Sequence, residues 1–220
     1  MSQRHRPQYE FDTLPIEPID PGTNLLVTGP ALGGLRELVM GLLVCQETEG
    51  MLLLSTDSGG EEAIAEYEAT GCPYETARMA VVDCTQDSQE SDARNIYTAS
   101  NPGDLTGIGI VFSSLYEQLY GVGIERVRTG LYTLSTLLMY TDNIQTVYRF
   151  LHTMTGHIRQ ADGLGVSAID PEAQDERTIR SLSQPFDGEV QLRKEDGTHE
   201  LRVRGLADQP EAWQPFDLQR

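Results

Sequence analysis

Four short runs of mainly apolar residues punctuate the chain, near 24–28, 51–55, 79–84 and 164–169, and a further strand candidate spans 127–131, where Arg126 and Arg128 alternate with Val127 and Thr129 and one face reads as wet or salt-bridged. Short apolar runs of this length are the mark of strands buried on both faces, as in a parallel sheet. Between them the apolar positions change to a spacing of three and four. Leu35, Leu38, Val39, Leu42 and Cys45 share a helical face over 35–46. Ile64 and Tyr67 do so over 60–70, with Gly71 as a stop, and Ile108, Phe112, Leu115 and Leu119 do so over 108–121. Ile144, Val147, Leu151, Met154 and Ile158 make one stripe on a long helix that Asp142 or Asn143 can cap. A short helix is predicted over 134–140, and another over 171–182, opened by Pro171 and Glu172. Strands alternating with helices predict a mainly parallel sheet with helices on both faces. The pattern then changes: 188–193 and 200–204 read as a hairpin, with Asp196-Gly197 in its turn.

Two stretches follow neither period. Residues 1–23 carry Pro7, Pro15, Pro18 and Pro21 and read as an extended N-terminal arm; residues 85–107 are polar and acidic and read as a surface loop. The predicted organisation is that arm, a single domain over 24–215 and a tail over 216–220. Met40, Leu43 and Val44 add apolar surface beyond the stripe of the first helix, which suits a central helix under neighbours or one that meets a partner.

Composition narrows the class. The 220 residues suffice for one large α/β domain. No apolar run approaches the ~18 residues of a membrane span, and residues 1–18 lack the apolar core of a signal peptide, so a cytoplasmic protein without membrane partners is expected. Net charge is -18, from 34 Asp and Glu against 16 Lys and Arg, and Lys194 is the one lysine. That surplus suits a protein kept soluble in high salt, as in halophiles, and disfavours nucleic-acid partners, which need clustered positive charge. Cys45, Cys72 and Cys84 are far apart and read as reduced thiols. His5, His152, His157 and His199 have no metal-ligand spacing, so no metal is expected.

The informative motif joins the first strand to the first helix. NLLVTG, PALGG and LRELVMGLL give a strand, a glycine-rich turn and a helix, the frame of a phosphate-binding P-loop. Gly29 and Gly34 stand at the separation of G-x-x-x-x-G-K-[ST], with Gly33 beside them. Where Lys and Ser/Thr belong, the chain has Leu35 and Arg36. Leu35 cannot neutralise a phosphate. Arg36 can reach an anion but has no oxygen for a metal. Gly29, Gly33, Gly34 and Arg36 are therefore the candidate anion-binding residues, and no residue is assigned as catalytic.

These segments resemble the KaiC/RadA-like branch of the RecA superfamily of P-loop ATPases, and in particular its short haloarchaeal members with degenerate nucleotide motifs. The resemblance spans roughly residues 20–215. It rests on NLLVTGPALGG, LYTLSTLLMYTD, the long helix after it, GLGVSAID and the FDGEVQLR…HELRVRGL hairpin. It implies a RecA-like P-loop NTPase sandwich. It also places Tyr132 where the family has the Asp that orients the magnesium water shell, a task a protonated phenol cannot perform. Leu35, Arg36 and Tyr132 thus depart together from the nucleotide chemistry. The family's catalytic Glu would fall near Asp57, which also reads as a simple loop or helix-cap residue.

The expectation is a non-catalytic regulatory or scaffolding protein that does not hydrolyse ATP, has no required cofactor and works through a protein partner or a homo-oligomer. One alternative is a nucleotide- or anion-binding homologue that still takes ATP and Mg²⁺. Another, from kinship alone, is a DNA-associated recombination or transcription accessory.

Overall fold

The computed structural model describes residues 7–85, 94–141 and 143–218. Its strands are β1 (Asn24–Thr28), β2 (Glu49–Ser55), β3 (Met79–Asp83), β4 (Ile96–Thr98), β5 (Arg126–Tyr132), β6 (Leu164–Ile169), β7 (Gly188–Glu195), β8 (Thr198–Arg204) and β9 (Gln214–Phe216). The helices are α1 (Arg36–Leu43), α2 (Gly60–Glu68), α3 (Leu105–Gly121), α4 (Leu134–Tyr140), α5 (Ile144–Gln160) and α6 (Glu176–Leu182). The strands form one sheet in the order β4–β3–β2–β5–β6–β1–β7–β8–β9. The first seven run parallel, while β8 and β9 join antiparallel. All five predicted central strands are present, and β1, β2, β3 and β6 are buried along their whole length. Burial on both faces is why they read as apolar runs rather than as alternating ones.

Alternate residues of each strand feed two apolar layers. Leu25, Val27 and Leu53 pack with Leu38, Leu42 and Ile64 from α1 and α2. Leu26, Leu52 and Leu54 pack with Phe112, Leu134 and Leu151 from α3, α4 and α5. Helix α1 presses closely on β5. A Cβ at Gly130 would stand 2.5 Å from Leu43 Cδ1 and 2.9 Å from Leu53 Cδ1, so a larger residue there would force these side chains to shift. Met40 and Leu43 are buried, which makes α1 a central helix; α3 by contrast leaves Ile110 exposed.

Several boundaries differ from the sequence reading. The predicted loop 85–107 contains β4, and α3 begins at Leu105 under an Asp104 cap; residues 86–93 of that loop lie outside the described residues. Three residues of strand and a capped first turn carry too little apolar periodicity to announce themselves. The predicted helix 171–182 is split. Asp170 caps a single turn over Pro171–Ala173, and Asp175 caps α6 through Thr178 N at 3.0 Å. Helix α1 stops at Leu43 rather than reaching residue 46. Asn143 caps α5; Asp142 lies outside the described residues. The hairpin turn has φ of 50° at Asp196 and 83° at Gly197, as its sequence demands. Strand β9 was not predicted, because Pro215 at its centre reads as a break. It forms the sheet edge, where a missing N–H is tolerated.

The N-terminal segment doubles back through a bridge between Tyr9 and Ile19 and buries Tyr9, Ile16 and Ile19 against the α1 side. Two arginines of β5 hold it. Arg126 donates to the carbonyls of Pro7 and Gln8 at 2.7 and 3.0 Å, and Arg128 donates to that of Glu10 at 2.9 Å. Both also pair with Glu49 of β2.

Candidate functional site

The carboxyl ends of β2, β5, β6 and β1 lie side by side, the edge at which α/β sheets bind ligands. The fold brings four loops together there: Gly29–Leu35 after β1, 56–59 after β2, Thr133 after β5 and Asp170 after β6. Gly34 has φ of +95°, a conformation that favours glycine. A side chain here would also collide with Leu218, whose Cδ1 would stand 2.3 Å from its Cβ, and would meet the His199 ring at 3.4 Å. The chain's own C-terminal segment thus covers the glycine where a phosphate would approach the backbone. Leu32 at the tip of the turn is fully exposed, and Leu35 points into the core and is buried.

Arg36 opens α1 and is the hub of the site. Its Nη2 donates to Asp57 Oδ2 at 2.6 Å, and its Nη1 donates to Ser58 Oγ at 2.9 Å and to Glu66 Oε2. The guanidinium carbon lies 4.4 Å from the centre of the Tyr132 ring, a cation–π distance. Arg36 and Tyr132 therefore form one contact. Burial, with Asp57 adding to it, pushes the Tyr132 phenol up to about 12, although Arg36 pulls the other way. Asp57 and Glu66 both sit above the usual carboxylate range, because burial outweighs the nearby guanidinium. Two carboxylates on one guanidinium leave the ionised cluster one unit negative.

A second carboxylate faces the turn itself. Asp170 Oδ2 accepts the N–H of Ala31 at 3.0 Å, while its Oδ1 accepts Glu172 N at 2.8 Å. The turn thus spends a backbone donor on an internal anion. The guanidinium is paired, Leu218 covers Gly34, Leu35 is turned away, and the nearby charges are mainly carboxylates that would repel a polyphosphate.

Of the residues singled out from the sequence, Gly29, Gly33, Gly34, Arg36 and Tyr132 meet at this edge, with Leu35 beneath. Asp57 serves as the ion partner of Arg36; it does not cap α2. The first N–H of α2, at Gly60, goes instead to Asp83 Oδ2 at 2.7 Å. Glu66, Asp83, Asp170 and Leu218 were missed. Each stands far from the motif in sequence, and nothing in the α2 acids marks Glu66 apart until α1 and α2 are packed. Arg126 and Arg128 are salt-bridged to Glu49. Arg202 instead donates to Gln191 and, with Arg193, flanks the Trp213 ring at 4.4 and 4.3 Å. Among the described residues no three His, Cys, Asp or Glu converge to hold a metal ion, and no helix is long and apolar enough to cross a membrane.

Comparisons with known proteins bear on the frame. Residues 22–192 match a family described as a family of unknown function, DUF7504. No curated protein matches the chain in sequence. Among solved structures, the chain is similar to the KaiC-like protein PH0186 from the hyperthermophilic archaeon Pyrococcus horikoshii OT3. The TM-score is 0.67 over 96% of this chain and 94% of that one, at 11% identity. At that identity the likeness carries the fold alone, and the fold is the KaiC-like RecA sandwich that the motifs implied.

Proposed function

We propose a function for a chain that belongs to the DUF7504 family, whose function is unknown, that builds on a RecA-like fold, and that carries Leu35 and Arg36 where a P-loop has Lys and Ser/Thr. Our reading is a non-catalytic regulatory or scaffolding protein that acts through contacts with other proteins. The observation that carries it is the fate of Arg36, the one cation at the P-loop position, which is spent on Asp57, Glu66, Ser58 and Tyr132. Phosphoryl transfer depends almost wholly on positioning and on neutralising charge. Each missing electrostatic contact costs about 3–4 kcal/mol of barrier, by analogy with a lost oxyanion-hole donor. Three absent groups, at Leu35, Arg36 and Tyr132, put turnover below detection even when losses are not additive.

Phosphate release by the purified protein with ATP and Mg²⁺, at low salt and in multimolar KCl, is expected to stay at background. Turnover near one per second that disappeared in Arg36→Ala would overturn the reading and make Arg36 a surrogate for the missing groups. The triple change Leu35→Lys, Arg36→Thr, Tyr132→Asp separates lost chemistry from a closed pocket. Asp170 and Leu218 stay in place in that variant, so nucleotide binding is expected to return only when Leu218→Ala and Asp170→Asn are added.

A further inference from the structure

Below the Arg36 cluster a groove runs between residues 10–14 of the N-terminal segment, the outer side of α1 and the C-terminal residues 216–218. Its floor is apolar, made by Phe11, Leu14, Met40, Val44 and Leu218. Its rim is acidic, with Glu10, Asp12, Glu37 and Asp217 all exposed. Five of its 17 lining residues are acids and none is Lys, Arg or His, against 34 acids in the 220 residues of the chain. The rim is therefore more acidic than the chain at large, and an apolar floor lies beneath it. Glu10, Glu37 and Asp217 have no cationic partner among the described residues. Past Glu37 and Met40, toward the exposed Leu32 at the tip of the P-loop turn, Arg36, Lys194 and His199 join the lining, so the purely acidic rim ends there.

We propose that this groove docks a basic amphipathic segment of a partner protein, apolar side chains on the floor and Arg or Lys side chains on the rim. This rests on the reading that the chain acts through protein contacts, and it names the chemistry of the partner. Charge complementarity selects the occupant. A second copy of this chain brings a net charge of -18 to the same rim and is repelled. An anionic lipid surface is repelled likewise. A neutral apolar segment would leave the rim carboxylates facing apolar groups, with water removed and no partner gained.

The test uses a fluorescent synthetic peptide of leucine and arginine at helical spacing, a scrambled peptide of the same composition, and the full chain. Anisotropy is expected to show saturable binding of the amphipathic peptide, with the scrambled one about tenfold weaker. Glu37→Arg with Asp217→Arg, both exposed and checked for folding by circular dichroism, is expected to weaken binding about tenfold. Glu117→Arg with Glu125→Arg, the same charge change at exposed residues outside the groove lining, is expected to leave it unchanged. Methyl resonances of Leu14 and Val44 should shift on titration. Equal binding of the scrambled peptide, equal weakening by the distant pair, or unshifted Leu14 and Val44 methyls would overturn the groove as the site. Such a failure with ATP turnover still at background removes the groove alone. Turnover removes the broader reading whatever the peptide does.

Discussion

Two arginine–carboxylate clusters sit at opposite ends of the same strands. At the amino ends of β2 and β5, Glu49 lies between Arg126 and Arg128; at the carboxyl ends, Arg36 lies between Asp57 and Glu66. Each places a guanidinium over a tyrosine ring, Arg126 over Tyr9 at 4.8 Å and Arg36 over Tyr132 at 4.4 Å. The stoichiometries are opposite, with two cations on one acid at the base and one cation on two acids at the top. Burial is opposite too. Glu49 and Arg128 are fully buried, whereas Arg36, Asp57 and Glu66 keep 22%, 28% and 26% of their side chains exposed. At the base, Glu49 also accepts Gln46 N at 3.1 Å, and Arg128 gives its other nitrogens to the carbonyls of Leu42 and Glu10. A dry network with its donors and acceptors matched fixes one arrangement and clamps the N-terminal segment. The upper cluster is half wet and carries a surplus negative charge. It occupies the ligand edge of the sheet and sets the charge there.

The comparison is broken most directly by removing the central member of each cluster. Glu49→Ala leaves the buried guanidinium of Arg128 and the partly exposed one of Arg126 without their acid, and a broken buried pair costs about 3–5 kcal/mol. Urea unfolding followed by circular dichroism should show that loss. Arg36→Met removes two partly wet ion pairs and a hydroxyl contact while keeping apolar cover for Tyr132. Its cost is expected at about 1–2 kcal/mol by the same measurement. Equal costs would mean that the two ends are energetically alike and that the upper cluster is simply a second clamp.

This difference was only partly legible in the sequence. The sheet was legible because strands buried on both faces have nothing but apolar residues to show, as Met51 to Leu54 do. The strand, turn and helix of the P-loop were legible because Gly29 and Gly34 impose a local geometry. The departures at Leu35, Arg36 and Tyr132 could be read against a family pattern. Their consequence could not. Glu66 lies 30 residues after Arg36, Asp170 lies 139 residues after Ala31, and Leu218 reaches Gly34 from the far end of the chain. Such contacts come from the order of strands in the sheet, and the sequence announces that order only as a general alternation. Strand β4 and strand β9 were missed for local reasons: three residues of β4 at an edge bury too little to leave a periodic trace, and Pro215 reads as a break in β9.

The finest test of the contrast is the pH dependence of the Arg36 contribution. Asp57 and Glu66 titrate above their ordinary values of 3.8 and 4.5, because burial raises them more than Arg36 lowers them. A carboxyl raised on folding contributes stability that is present below its unfolded value and is lost as pH rises through its folded value. In the native protein Arg36 limits that loss. In Arg36→Met the lowering influence is gone, both carboxyls rise further, and more stability disappears between pH 4 and neutrality. The cost of the substitution should therefore be small near about pH 2.5, below both unfolded values, where both groups hold protons in folded and unfolded chains alike, and should grow toward pH 7. The remaining carboxylates titrate in both proteins and cancel in the difference. The measurement is the change in unfolding free energy between native and Arg36→Met chains across that range. A cost independent of pH would show that Arg36 acts by packing on Tyr132 and not by charge, and the upper cluster would lose its electrostatic meaning.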